Sequence, residues 1–190
     1  GIRLLQIFED EWLNKSKIIK DKCKYTLGLT KSTKRIYARN CYVEEITKPQ
    51  KRDFLNKNHN QGNDAAQILL GLWYKVEDEE YLVAVMTFCK PRIFMGMKNS
   101  SYDYELSRFA TCINYSVIGA FSKIFAYFKK HYEWNKLVTY ADRRLSNGNL
   151  YLKNGFINDH NSDPNYFYIA PNSLVREYRY GYRKQKLQEK

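Results

Sequence analysis

Residues 66–89, "AQILLGLWYKVEDEEYLVAVMTFC", hold two nearly continuous apolar runs joined by the acidic turn "EDEE". Short runs rich in Leu, Val, Trp and Tyr, broken by a polar turn, predict a β-hairpin. Neither run alternates apolar with polar residues, so both faces of the hairpin need cover. That requirement predicts an α/β (α+β) domain with helices packed on the sheet.

Working outward, the flanks supply those elements. Before the hairpin, "RIYARNCYVEEI" alternates, with Ile36, Ala38, Asn40 and Tyr42 on one side and Tyr37, Arg39, Cys41 and Val43 on the other, which predicts a single strand. "TKPQKRDFLNKNH" predicts a helix capped by Thr47 with Pro49 in its first turn. After the hairpin come a strand, "YDYELSRFATC", and a strongly apolar helix, "SVIGAFSKIFAYFKKHY", with Ser116 as its cap. "KLVTYA" then reads as a strand, "SNGNLYLKNG" as a short helix closed by Gly155, and "PNYFYIA" as a last strand. At the other end, "IRLLQIF" reads as an apolar strand, the last of something preceding it. In "EDEWLNKSKIIKDKCKYTLGL", Trp12, Ile18, Ile19, Cys23 and Leu27 fall near helical spacing and predict one or two short helices ending near Gly28. The polar break "TKSTKR" sets the expected organisation: an appendage over 1–34, a main domain over 35–175, and a basic, tyrosine-punctuated tail over 176–190.

Composition narrows the function. At 190 residues, 44% hydrophobic and 16% aromatic with 17 tyrosines, the chain can pack one interior and excludes wholesale disorder. Lys and Arg number 32 against 20 Asp and Glu, and the formal charge of +12 is spread along the chain. Such a balance favours a polyanion, and tyrosine-rich basic surfaces suit nucleic acid, where phosphates meet cations and bases meet rings. Cys23, Cys41, Cys89 and Cys112 lie far apart with no CxxC, and with only three histidines no metal site is predicted. No apolar run reaches membrane-spanning length, so the expectation is a reduced, intracellular protein without a membrane partner.

The order strand, helix, hairpin, strand, long helix, strand, short helix, strand resembles the GNAT superfamily of N-acetyltransferases, which implies a mixed, mostly antiparallel sheet flanked by helices, here with a short amino-terminal helical appendage. In that family the strand before the long helix parts from its neighbour, and the helix start receives the pyrophosphate of acyl-coenzyme A. The corresponding stretch here is "CINYSVIGAFSKIF". The resemblance implies a site for acetyl-coenzyme A or a related acyl donor at Asn114, Ser116, Val117, Ile118, Gly119, Ala120, Ser122 and Lys123. Free N–H groups and the helix macrodipole attract phosphate there, and a glycine lets it approach. The family motif, Arg or Gln, two residues, Gly, one residue, then Gly or Ala, is met only at Gly119, with Ser116 at its first position and Phe121 at its last. Gly119 and Ala120 equally suit close helix-sheet packing. "LYLKNGF" resembles the family's closing Leu-Tyr-x-Lys-x-Gly-Phe signature, which implies a general-acid phenol at Tyr151; a tyrosine on a short amphipathic helix also serves as core.

A narrower resemblance covers most of the chain. "VAVMTFCKPR", "YELSRF" and "YADRRLSNGNLY" look like motifs of phage-borne GNAT-like proteins, among them the Mom-type DNA-modification proteins, which alter adenine within DNA. They also look like the carboxy-terminal domain of phage homing-endonuclease-like proteins. In that group "IRLLQIFEDEW" resembles the closing segment of a nuclease domain of the very-short-patch-repair or EDxHD type, and "NHNQG" recurs after the first long helix. The resemblance implies a DNA partner, a nuclease domain amino-terminal to this chain with Glu9 and Glu11 at its edge, and residence in the cytoplasm of a phage host.

The candidate chemistry gathers at strand ends. Tyr140, Asp142 and Arg143 lie where an α/β sheet collects ligands, beyond the carboxyl end of a strand. Alternation in "YELSRF" puts Glu105, Ser107 and Phe109 on one face and Leu106 and Arg108 on the other. Asp142 is the expected partner of Arg108, as a structural ion pair or an acid/base pair. The proton-handling candidates are Glu105, Asp142, Tyr151 and His59; the last reads equally as an ordinary loop histidine. "KPRIFMGMKN" joins Lys90, Arg92 and Lys98 to Phe94 and Met95, cations flanking apolar wedges that suit a DNA groove or a flipped base. Arg108, Arg143, Arg144, Arg176, Arg179 and Arg183 extend that cationic face. Three functions follow in order: a GNAT-like DNA-acting transferase, a non-catalytic DNA-recognition module, and an ordinary acetyltransferase of a small amine or protein. Oligomeric state stays open.

Overall fold

The computed structural model describes residues 3–29, 34–91 and 102–182, apart from the side chain of Tyr180. In chain order the elements are α1 (Glu9–Asn14), α2 (Ser16–Thr26), β1 (Lys34–Tyr37), β2 (Cys41–Glu45), α3 (Lys48–Asn58), β3 (Ile68–Val76), β4 (Glu79–Cys89), β5 (Tyr104–Thr111), β6 (Tyr115–Ile118), α4 (Ala120–His131), β7 (Leu137–Thr139), α5 (Asn149–Leu152), β8 (Phe167–Ile169) and β9 (Arg176–Tyr178). They form two compact units. The larger comprises residues 17–141, and the smaller joins residues 1–16 to 142–190.

The larger unit is a mixed α+β layer structure. Its main sheet has the order β2-β3-β4-β5-β7, antiparallel throughout except for the parallel pair β5 and β7, and a separate parallel pair joins β1 to β6. The hairpin β3-β4 turns at Glu77, whose φ of 54° is left-handed. Cover arrives on both faces, as its apolar runs demand. On one face Phe54 and Leu55 of α3 pack with Ile46, Ala66, Leu69, Val85 and Ala110. On the other, Phe128 of α4 stacks on Phe88 at 3.8 Å, and Phe121 meets Phe109 edge-on at 5.0 Å. Thr47 caps α3 in a reciprocal box with Gln50, as the sequence signals.

Four expectations are corrected. Residues 3–8 form no strand. The alternating run from Ile36 to Val43 is interrupted by a 3-10 turn, Ala38–Asn40, so its two halves join different sheets. Ser116 caps nothing: it lies in β6, and α4 begins four residues later behind Gly119, whose φ of 80° breaks the strand before the helix can start. The fourth concerns β5. Thr87 pairs with Arg108 and Phe88 with Leu106, so Ser107 is an extra residue in β5, a bulge. The bulge reverses the alternation beyond it. Phe109 consequently turns to the α4 face, and Arg108, opposite Thr87, shares the α3 face with Glu105, which lies opposite Cys89.

In the smaller unit β8 and β9 form an antiparallel pair. Phe8, Phe167 and Tyr178 line up as edge-on ring contacts of 6.0 and 5.4 Å. No helix among the described residues is long and apolar enough to cross a membrane.

Candidate functional site

The parallel pair β5-β7 is held by three residue pairs, Tyr104 with Leu137, Glu105 with Val138 and Leu106 with Thr139. The hydroxyl of Thr139 donates to the carbonyl of Leu106 at 3.1 Å and closes the paired stretch. β7 ends there, which opens the edge of β5: from Ser107 to Thr111 it has no strand partner on that side among the described residues. At the start of the opening Arg108 Nη1 donates to the carbonyl of Ser107 at 2.8 Å.

Behind this opening, on the α3 face, lies a buried polar cluster. Lys51 is 3% exposed and donates to Asp64 through its carbonyl at 2.6 Å and its Oδ1 at 2.9 Å. Thr87, wholly buried in β4, donates to Asp64 Oδ2 at 2.6 Å. Burial works to raise the pKa of Asp64, but hydrogen bonds from Thr87, Lys51 and Ser107 outweigh it and hold the carboxyl below its ordinary value. Glu105 on the same sheet face is also fully buried. Sequence reasoning misses Lys51, Asp64 and Thr87. Lys51 carries a signal, since it precedes Phe54 and Leu55 by three and four positions and must therefore share their buried stripe.

The start of α4 forms a concavity of about 410 Å3 lined by Arg39, Lys123, Ser122, Gly119 and their neighbours. Lys123 Nζ donates to the carbonyl of Cys41, which fixes a cation in the wall. Of the residues expected to hold an acyl donor, Gly119, Ala120, Ser122 and Lys123 lie on this helix start, whereas Ser116, Val117 and Ile118 lie in β6 and pair with Arg35, Ile36 and Tyr37 of β1. Asn114 sits before β6 with a left-handed φ of 69°, its N–H directed to Asp21. Burial raises the Cys112 thiol to about 11 and raises Cys41 as well, so both stay protonated at neutral pH.

The charged residues of "ADRR" belong to the smaller unit, where Asp142 and Arg144 join an ion-pair network. Arg144 forms a forked pair with Glu11 at 3.1 and 3.0 Å and reaches Asp142 Oδ2 at 2.7 Å. Arg176 binds both oxygens of Asp10 at 2.8 and 2.9 Å and Glu11 Oε1 at 3.0 Å, with its guanidinium 3.9 Å from the centre of the Phe8 ring. Asp142, expected to answer Arg108, is instead taken by Arg144 of its own unit, two positions away. Glu11, expected with Glu9 at the edge of a nuclease domain, is 5% exposed and serves as the central acceptor of this network.

The other candidates are placed singly. Arg143 and Lys90 are exposed. Arg179 lies 5.3 Å from the centre of the Tyr166 ring, and Tyr151 packs edge-on against Phe156 at 5.6 Å. His59 ends α3 and accepts the Gln61 N–H at Nδ1. Arg92, Phe94, Met95, Lys98 and Arg183 lie outside the described residues. No group of three or more His, Cys, Asp or Glu is placed to hold a metal among the described residues. Compared with family models, curated proteins and solved structures, the chain matches none.

Proposed function

We propose that this protein acts on DNA through a GNAT-type acyl-transfer domain spanning residues 17–141. The observation that carries the reading is the edge of β5 left without a strand partner after β7 ends at Thr139, followed in the chain by a glycine-started helix. An opened strand edge offers N–H and C=O groups to the amides of an acyl-coenzyme A, as it would to another strand. The start of α4, behind Gly119, suits the donor's pyrophosphate through the free N–H groups of its first turn. In the transfer, an amine nitrogen of a nucleobase attacks the thioester carbonyl, a C–N bond forms as the C–S bond breaks, and the amine's proton passes to a base while the thiolate leaves. Glu105, wholly buried between Cys89 and Val138, is not placed to be that base; Arg108, beyond the paired stretch, orients the acceptor in this reading.

Thermal unfolding with and without acetyl-coenzyme A tests it. At a hundred times its dissociation constant the donor should add about 2.7 kcal/mol of stability. A second reading, a DNA-recognition module with the fold but no donor, is favoured by the pairing of Tyr115–Ile118 with Lys34–Tyr37, which commits that backbone to a sheet. Its outcome is salt-sensitive DNA binding with no stabilisation by the donor. Stabilisation by the donor with no DNA binding at any salt would instead point to an ordinary acetyltransferase.

A further inference from the structure

α4 carries a stripe that runs well past the donor position. Residues 119, 122–123, 126–127 and 130–131 recur at helical spacing and face two concavities, of about 410 and 400 Å3, that share Lys123. Across from them run the 3-10 turn and β2. The cations in the lining are Arg39, Lys123 and Lys130, with His131 at the far end, and no acidic residue lines either concavity among the described residues. Rings alternate with the charges: Tyr37 lies under the Arg39 guanidinium at 5.0 Å, and Tyr127 stacks on His131 at 4.1 Å. Carboxylates act from outside the lining: Glu80 through a hydrogen bond with the Tyr42 phenol, and Glu44 on the same phenol at longer range.

This alternation has a chemical meaning. Cations at intervals along a groove match a phosphate backbone, and rings between them offer faces on which unpaired bases stack, which a duplex, its bases already stacked inside, uses poorly. Along α4 the stripe covers roughly 18 Å, the axial length of about five phosphates at the spacing of one duplex strand. Lys123, held by the Cys41 carbonyl, fixes a charge midway.

We propose that the groove between α4 and the segment from Tyr37 to Val43 binds a single strand of DNA, phosphates on Arg39, Lys123 and Lys130 and bases on the tyrosines. The proposal rests on the DNA-acting reading and names the surface and the form of nucleic acid it uses. An occupant of this kind would be the strand displaced or distorted when a base is exposed for modification.

The test is fluorescence anisotropy of the whole chain with a labelled oligo-thymidine and a labelled duplex of equal length at several salt concentrations. Three proteins are compared: wild type, Arg39→Gln/Lys130→Gln, and the control Lys57→Gln/Lys75→Gln, which removes the same charge from exposed positions on α3 and β3. The groove variant should bind the single strand more weakly and lower the slope of log affinity against log salt by about 1.4, at roughly 0.7 for each phosphate left without its cation, while the control changes little. Equal behaviour of the two variants would overturn the groove and leave DNA action standing. Binding of duplex alone, weakened by the groove variant, would overturn the single-strand assignment. No DNA binding by wild type would overturn both this proposal and the reading beneath it.

Discussion

Asp64 shows how a single buried charge is kept. Its carboxylate is stabilised by Lys51, Thr87 and Ser107 against the cost of burial, so its folded pKa lies below the ordinary 3.8. A depressed folded pKa means that this contribution to stability is fully present above about pH 4 and is lost as the pH falls through the carboxylate range. Urea unfolding followed from about pH 6 to about pH 2 should show that loss, and it should shrink in Asp64→Asn. The same substitution should cost about 3 kcal/mol near neutral pH, because it leaves the Lys51 ammonium buried without a counter-charge. Replacing both partners, Lys51→Met with Asp64→Leu, should cost less than Asp64→Asn alone. Gly119 is a second residue with a single physical reason. A Cβ added there would meet the Ala38 Cβ at 3.6 Å, an ordinary contact, so space is not the issue. The left-handed φ is. Gly119→Ala should therefore lose about 1–2 kcal/mol by denaturant unfolding, with no change in m-value.

At the scale of elements, what the sequence makes legible follows the strength of local chemistry. The hairpin is readable because its runs are long and apolar, and α3 because Thr47 and Gln50 spell a capping box. Thr47→Ala should cost about 1 kcal/mol, visible as faster amide exchange in the first turn of α3. The bulge at Ser107 is not readable, since no glycine marks it and its cause is the register with β4. For that reason strict alternation assigns Arg108 and Phe109 to the wrong faces, and with them the separation expected between Glu105 and Arg108. β6 is hidden in another way: Tyr115–Ile118 continues smoothly into the apolar period of α4, and only the backbone at Gly119 divides them.

Across the whole chain, the charges at "ADRR" pose the question that sequence could not answer. An arginine beside an aspartate near a strand end reads as chemistry, whereas the network of Arg144 and Arg176 with Asp10, Glu11 and Asp142 joins segments distant in the chain, Arg144 to Glu11 and Arg176 to Asp10, a pairing no local pattern announces. Removing Arg144 takes the fork from Glu11 but leaves it Arg176, so Arg144→Ala should destabilise the smaller unit by roughly 2 kcal/mol, and Arg144→Lys should restore little of it because an ammonium cannot supply the fork. Amide exchange over Glu9–Asn14 is the readout. The larger unit is legible in its hairpin and in the helices that flank it; the functional reading stands on the edge of β5 left unpaired beyond Leu106. Its most direct measurement is amide hydrogen exchange of the full chain with and without acetyl-coenzyme A. The account predicts slowed exchange at residues 107–111 of β5 and 120–123 of α4 when the donor is present; unchanged exchange at both segments, at donor concentrations up to the millimolar range, would contradict it.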